Sequence, residues 1–499
     1  MQRIEIDGVP FFTTPGPARA TAALVFGVGL RDETFATQGI THLIEHLVMG
    51  TLPKSHLESN ATVDVESTIF YATGRPAAVA AFLEGVCAAL ADPPFDRMDK
   101  EIGVLQAENC TGSHPTASAL WAARFRLNGP GLAMAGGGVP EWLTEEAVRA
   151  HARKWFVRDN AAAMWHGDRP EQLRLVLPEG PRPSRPHPPV RVQTGPLWMQ
   201  GPAAGAGLLL RVSDPADAAT GVGVDVLAER MRDVARKERG LSYHADLEIV
   251  DIAPAHREVA VVVDAREGQE AAVAQLLWEQ YLDLCEHGPS PAELEHAVDG
   301  FAEHLDSGDD VALSDLSRAA FTEVFDLPFR PAADGAQRWR AVTPGQVAAA
   351  LRTCRPDAIL MVPEQVDPGP LPGGIERGYL CSPVTELPSG TVFRPSLLAR
   401  ALHKAARLTL VVNEAGLAHR DADGDGHFIP WPEVEAAVPA IQGYGVFVVG
   451  RNLCGIDVHE DVYGRRAVDA VRAQLPPHVF VQVPPQRADS AQPEAAGAR

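Results

Sequence analysis

An α+β architecture of roughly three domains is what this sequence predicts. At 499 residues the chain is too long for a single core. Strand-like and helix-like stretches interleave through the first 368 residues, interrupted by a Pro-rich break from Glu179 to Pro196. A second break, DPGPLPGGIERG, precedes a C-terminal stretch of short strand-like runs. Hydrophobic residues at 45% and charged residues at 22% suffice for sizeable cores.

The charge balance narrows the partners. A net charge of -21 and a pI near 5.2 argue against nucleic acid or an anionic membrane, both of which call for a basic surface. They suit a cytosolic protein or one handling basic peptides. The six cysteines (Cys87, Cys110, Cys285, Cys354, Cys381, Cys454) show no C-x-x-C spacing. They are expected to be reduced and structural, with neither a disulfide framework nor a thiolate metal site. The opening MQRIEIDGVPFF has no basic segment followed by an apolar one, and no stretch reaches the roughly 18 apolar residues of a membrane span. The expected location is the cytoplasm, without a transmembrane segment.

The elements follow in order. RIEIDG, VPFFTT and TAALVFGVGL read as strands separated by turns, and the acidic RDET leads into a helix at GITHLIEHL. A further extended segment runs from Ala61 to Gly74, rich in Val, Thr, Ile and Tyr. Two helices come next, RPAAVAAFLEGVCAALADP, stopped by Pro93 and Pro94, and FDRMDKEIGVLQAENC, with Asp96 as a candidate N-cap. After the Pro-rich break, GLLLRV reads as a strand. A helix follows with Val224, Leu227, Ala228, Met231 and Val234 on one face. Strand REVAVVVDA, helix GQEAAVAQLLWEQYLDLCEHG and helix SPAELEHAVDGFAEHL, capped by Ser290, continue the pattern.

The chemistry concentrates in Thr41 to Gly50, THLIEHLVMG. His42, Glu45 and His46 form H-x-x-E-H, and positions i, i+3 and i+4 of a helix share a face. Two neutral imidazoles one turn apart can share a zinc ion, with Glu45 beside the metal and free to take a proton from the attacking water. This order is the inverzincin signature. Taken alone, a histidine on an apolar helix is more often a satisfied core residue. Glu101 and Glu108 are seven residues apart and share a face of their own helix. In isolation such a pair reads as two solvated carboxylates. A catalytic zinc normally takes three protein ligands and a water, and Glu108 offers the third.

GITHLIEHLVMGT, ESNATVDVESTIFYATG and KEIGVLQAE resemble, in that order, the metal helix, substrate-side strand and second metal helix of the pitrilysin, insulin-degrading enzyme and mitochondrial processing peptidase family. FRLNGPGL and VPEWLTEEAVRAHARKWFVRDNAAAMWHGD resemble the close of that family's first domain. The likeness covers about residues 1–368. It implies two similar α/β-sandwich domains, each an antiparallel-rich sheet covered by helices, together forming half of a clamshell. The implied division is a zinc-binding peptidase domain at 1–180, a linker at 181–197, and a second, metal-free domain at 198–368. The second domain is expected to supply an arginine and a tyrosine seven residues apart, matched here by Arg236 and Tyr243.

The resemblance implies a zinc endopeptidase acting on peptides or a precursor peptide. Zn2+ is held by His42, His46 and Glu108; Glu45 is the base; Glu101 orients His46 from one shell out. Asn60, Ala61 and Thr62 begin an edge strand to which the peptide adds. Tyr243 stabilises the oxyanion and Arg236 holds the substrate backbone. A homodimer, or a heterodimer with a related chain, is the implied assembly. The rival reading is a catalytically silent scaffold or leader-peptide-binding subunit of the same fold, although such a partner has no need of Glu45.

Beyond the resemblance lie a linker at 369–388 and a β-rich region at 389–482. GTVFRPS, RLTLVVNEAGLAHRD, HFIPWPEV, YGVFVVG and NLCGIDVHED, followed by helix GRRAVDAVRAQL, suggest a small pleckstrin-homology-like β-barrel closed by one helix. DADGDG imitates the start of a calcium loop, but Pro432 stands where the closing glutamate belongs, so a hairpin turn is expected. The polar, Ala/Pro-rich tail at 483–499 is expected to be disordered.

Overall fold

Two six-stranded sheets dominate a computed structural model that describes residues 1–108, 114–135, 140–184, 195–253, 256–306, 308–395, 408–440 and 442–481. The first sheet contains β1 (Gln2–Ile6), β2 (Val9–Thr14), β3 (Ala20–Phe26), β4 (Glu58–Val63), β5 (Thr68–Gly74) and β6 (Ala161–His166). Its order is β1-β2-β6-β3-β5-β4, antiparallel except for the β2/β6 pair. The second contains β7 (Leu197–Gly201), β8 (Ala206–Val212), β9 (Ala245–Ala253), β10 (His256–Val263), β11 (Ile359–Pro363) and β12 (Glu376–Arg377). Its order is β12-β7-β11-β8-β10-β9; five strands repeat the first sheet, with β7/β11 again parallel, while the edge strand β12 comes last of its sheet in the chain and lies parallel to β7, where β1 is antiparallel to β2. The expected pair of similar, antiparallel-rich α/β sandwiches is present.

Helices cover each sheet from both sides of the repeat. On the first sheet, α1 (Ile40–Met49), α2 (Pro76–Ala91) and α5 (Glu145–Trp155) bury Leu43, Leu47, Leu83 and Trp155 against Leu24, Phe26 and Phe70. On the second, α6 (Ala218–Arg230), α7 (Glu270–His287) and α11 (Pro344–Cys354) do the same. The opposite faces are exchanged. Helix α4 (Pro115–Phe125), from the first half, lies on the second sheet, and α9 (Gly308–Val324), from the second half, lies on the first. Between α3 (Met98–Glu108) and α4 the chain therefore crosses from one half to the other. Fully buried Arg124 of α4 pairs with fully buried Glu258 of β10 at 3.2 Å, and His256 Nε2 is 2.7 Å from the same carboxylate. Burying an ion pair is favourable only when its groups are this fully partnered. The two remaining helices described in this half are α8 (Pro291–Asp306) and α10 (Ala332–Arg340).

Several local expectations meet their structure. Ser290 caps α8 reciprocally: its Oγ accepts from Glu293 N at 3.3 Å, and Glu293 Oε2 accepts from Ser290 N at 2.8 Å. Asp96 is not an N-cap. It lies inside the 3-10 turn Phe95–Arg97 that runs straight into α3, because Pro93 and Pro94 set the turn one step earlier. The Pro/Gly-rich stretch after 368 is more than a tether, since Glu376 and Arg377 pair with β7. Its prolines lack N–H groups but their carbonyls accept. Pro372 O takes Trp278 Nε1 at 2.9 Å and Pro368 O takes Gln275 Nε2 at 2.5 Å.

The C-terminal β-rich region forms two small sheets over one core. Strands β13 (Thr391–Phe393), β14 (Thr409–Val412), β15 (Gly416–Arg420) and β16 (Gly426–Pro430) make the first; β17 (Val434–Pro439), β18 (Gly445–Gly450) and β19 (Gly455–His459) make the second. Helix α12 (Arg465–Arg472) closes the core through Ala467, Val468 and Val471. The expected small β-rich region closed by a helix is thus present, as sheets of four and three strands. DADGDG is the β15–β16 hairpin turn, with Asp421 N bonded to Asp425 O at 2.9 Å. The expected disordered tail and Cys110 fall outside the described residues, as does most of the first linker. No single helix among the described residues is long and apolar enough to cross a membrane; α2 and the segment from Phe95 to Glu108 reach that only jointly and are bent by 86°.

Candidate metal centre

Helix α1 is placed by its N-terminus. Gly39 takes a φ of 81°, which a residue without a side chain adopts at no steric cost. Buried Glu33 then accepts from Gly39 N at 2.8 Å and from Thr41 N at 2.9 Å, satisfying two of the helix's orphan donors. Burial outweighs these contacts and pushes Glu33 up to about 7. Thr41 Oγ1 meets His151 Nε2 at 3.1 Å, tying the same turn to α5. With Leu43, Ile44, Leu47 and Val48 in the core, His42, Glu45 and His46 are left on the face toward α3.

There the three expected ligands converge. His42 and His46 Nε2 are 3.2 Å apart, and Glu108 Oε2 lies 3.8 Å from the first and 3.4 Å from the second. Zinc with bonds of about 2.0–2.1 Å and tetrahedral angles sets its ligand atoms about 3.3 Å apart, so the donor set fits that ion. Burial, with the His46 ring alongside, pushes His42 down to about 4, keeping its imidazole neutral at pH 7. Glu45 Oε2 sits 3.7 Å from each Nε2, with its side chain 9% exposed. Burial, then the charges of Glu108 and Glu101, push Glu45 up to about 7.

Glu101 stands behind the histidine. Its Oε2 is 3.7 Å from His46 Nδ1, where a carboxylate favours the Nδ1–H tautomer and leaves Nε2 as the donor. Arg97 Nη2 donates to Glu101 Oε1 at 3.0 Å. A Cβ on Gly50, the residue that ends α1, would stand 3.0 Å from both of those atoms and would push the pair aside. Arg97 and Glu33 escaped the sequence reading. The available signals were the i, i+4 spacing of Arg97 and Glu101, and the acidic stretch ahead of the helix.

Asn60, Ala61 and Thr62 lie in β4, at the edge of the first sheet and packed beside α1. Asn60 and Thr62 point to solvent and Ala61 inward. Arg236 and Tyr243 are both exposed, Tyr243 at 69%, and among the described contacts neither is bonded to the triad or Glu45. Tyr243 rides a braced turn. Asp264 Oδ1 accepts from Ser242 Oγ at 2.6 Å and from the backbone N–H groups of Tyr243 and His244, each at 2.8 Å.

No family model and no curated protein matches the chain by sequence. Solved structures do match by shape. A protease from Helicobacter pylori superposes with a TM-score of 0.60 at 13% identity, over 72% of this chain and 98% of that one. A peptidase M16 inactive domain from Pseudomonas fluorescens gives 0.59 at 16%, over 72% and 97%. The chain has the M16 peptidase fold. The first half of the Escherichia coli periplasmic protease PqqL agrees, with a TM-score of 0.53 at 17% identity over 72% and 91%. Since an inactive domain shares the M16 fold, the fold by itself does not decide activity.

Proposed function

We propose that the chain is a zinc-dependent endopeptidase in which His42, His46 and Glu108 hold the metal and Glu45 is the general base. One observation carries the reading: Glu45 Oε2 is equidistant, at 3.7 Å, from the two imidazole nitrogens, beside the triad and outside it. Zn2+ bound there supplies Lewis acidity, bringing the pKa of water towards neutrality and polarising a peptide carbonyl. Glu45 accepts the proton of the attacking water and passes it to the departing amine, a role suited to a mostly buried carboxylate beside the triad. Glu101 positions His46 and is itself held by Arg97.

The open edge of β4, beginning at Asn60, Ala61 and Thr62, offers backbone groups to an extended peptide, giving affinity independent of side-chain sequence. Tyr243 donates to the developing oxyanion and Arg236 grips the peptide backbone. Both are exposed, which suits a site completed by closure of the second half over the first, within the chain or in a pair with a copy or a related subunit. The free thiols among the described cysteines suit a cytoplasmic setting.

A silent scaffold or leader-peptide-binding subunit remains the rival, supported by the inactive M16 domain of the same shape. Glu45→Gln separates the two. Peptide cleavage should fall about 100- to 10,000-fold while zinc content stays at the wild-type level. A Glu45→Gln protein that cuts at the wild-type rate would assign the base elsewhere, and a wild-type chain that takes up zinc yet cleaves no peptide from a cell extract would favour the scaffold.

A further inference from the structure

The C-terminal region brings together a second set of metal donors, contrary to the expectation from cysteine spacing. Cys381 follows β12, His427 is the second residue of β16, and Cys454 immediately precedes β19. Their donor atoms all lie within 4.8 Å of one another, and Cys381 Sγ is 3.8 Å from His427 Nδ1. Tetrahedral zinc, with Zn–S bonds of about 2.3 Å and Zn–N bonds of about 2.0–2.1 Å, sets sulfur and nitrogen ligands about 3.6 Å apart. Both thiols are free.

The surroundings suit ligation. His427 Nε2 is 3.4 Å from Asp421 Oδ2, and a carboxylate at that nitrogen retains the proton there and leaves Nδ1 as the donor. Asp421 is fixed in turn by the hairpin, its Oδ1 accepting from Gly424 N and Asp425 N, each at 2.8 Å. The Ser382 backbone N–H donates to Cys454 Sγ at 3.4 Å, a contact that favours thiolate. Leu453 takes a φ of 65°, a costly conformation for a leucine, in the turn that delivers Cys454. Cys454 is buried while Cys381 and His427 are half-buried, which leaves one side of the set open to water.

We propose that Cys381, His427 and Cys454 bind a zinc ion, with water in the fourth position, that ties the two C-terminal sheets to each other and to the strap leaving the second six-stranded sheet. His427 belongs to the four-stranded sheet, Cys454 adjoins the three-stranded one, and Cys381 ends the strap. The binding free energy of the ion becomes stability of this region.

Cobalt distinguishes this site from the one on α1, because only thiolate ligands give a sulfur-to-Co2+ charge-transfer absorption in the near ultraviolet. The full chain, reduced and stripped with a chelator, is titrated with Co2+ alone. The band should saturate within about two ions per chain, the site on α1 taking the other without a thiolate band, and disappear when Zn2+ is added. It should persist in a His42→Ala, His46→Ala double variant. Cys381→Ser, at the half-buried ligand, should weaken binding at this site by at least about 100-fold, and Asp421→Asn, which keeps all three ligands, by roughly 10- to 100-fold. The proposal is overturned if excess Co2+ gives no such band, if the band is unchanged in Cys381→Ser, or if the isolated chain carries a Cys381–Cys454 disulfide that persists under the reducing conditions.

Discussion

The two six-stranded sheets share the order of five strands, yet the helix pairs lying on them are joined in opposite ways. On the first, α1 and α3 meet through His42, His46 and Glu108, with Glu45 and Glu101 alongside. These are lone pairs and negative charge, and Arg97 and Lys100 of α3 and its leading turn both face Glu101. On the second, the corresponding helices α6 and α8 meet through Arg230, whose Nη2 is 3.0 Å from Glu293 Oε2, while its Nη1 is 2.6 Å from Asp283 Oδ2 on α7. The second half carries its own cation at this contact, where the first half gathers acceptor groups instead. A repeated fold thus brings candidate metal ligands together in one copy and an ion pair in the other, and the residues at one helix contact make the difference.

The largest expected effect falls on the joint between the halves. Arg124→Ala leaves fully buried Glu258 with His256 in place of its guanidinium partner and should cost about 3–5 kcal/mol in urea unfolding. A loss below about 1 kcal/mol would mean that the halves do not depend on this pair. Next comes the contribution of the second half to the first. Tyr243→Phe should lower kcat by about 100- to 1,000-fold with zinc content and stability unchanged, and an unaltered kcat would remove Tyr243 from the chemistry. The smallest effect tests the helix contacts directly. Glu101→Gln should weaken zinc binding at the triad by roughly 10- to 100-fold, whereas Glu293→Gln, at the matching contact of the second half, should leave it unaltered. Equal zinc affinities for the two variants would make Glu101 merely a partner for Arg97.

Legibility in the sequence followed distance along the chain. His42, Glu45 and His46 declare themselves because helical periodicity places i, i+3 and i+4 on one face whatever surrounds them. Glu108 could be named because a zinc site needs a third ligand, although its 3.4 Å approach to His46 depends on how α3 packs against α1. The exchange of α4 and α9 between the sheets was invisible, since a buried stripe on a helix does not say which sheet buries it. Cysteine spacing misled for a related reason. Spacing detects ligands that share a turn, and Cys381, His427 and Cys454 come from separate strands and turns.

The sequence by itself determined the α+β class, the polar face of α1 and the ligand types available to a metal. These follow from local periodicity, turn chemistry and side-chain chemistry. Only the tertiary structure decided that Arg97 braces Glu101, that Glu33 caps α1, that the two halves trade helices, and that two cysteines and a histidine meet in the C-terminal region. Those outcomes rest on long-range packing, where burial and hydrogen-bond satisfaction are settled between segments far apart in the chain.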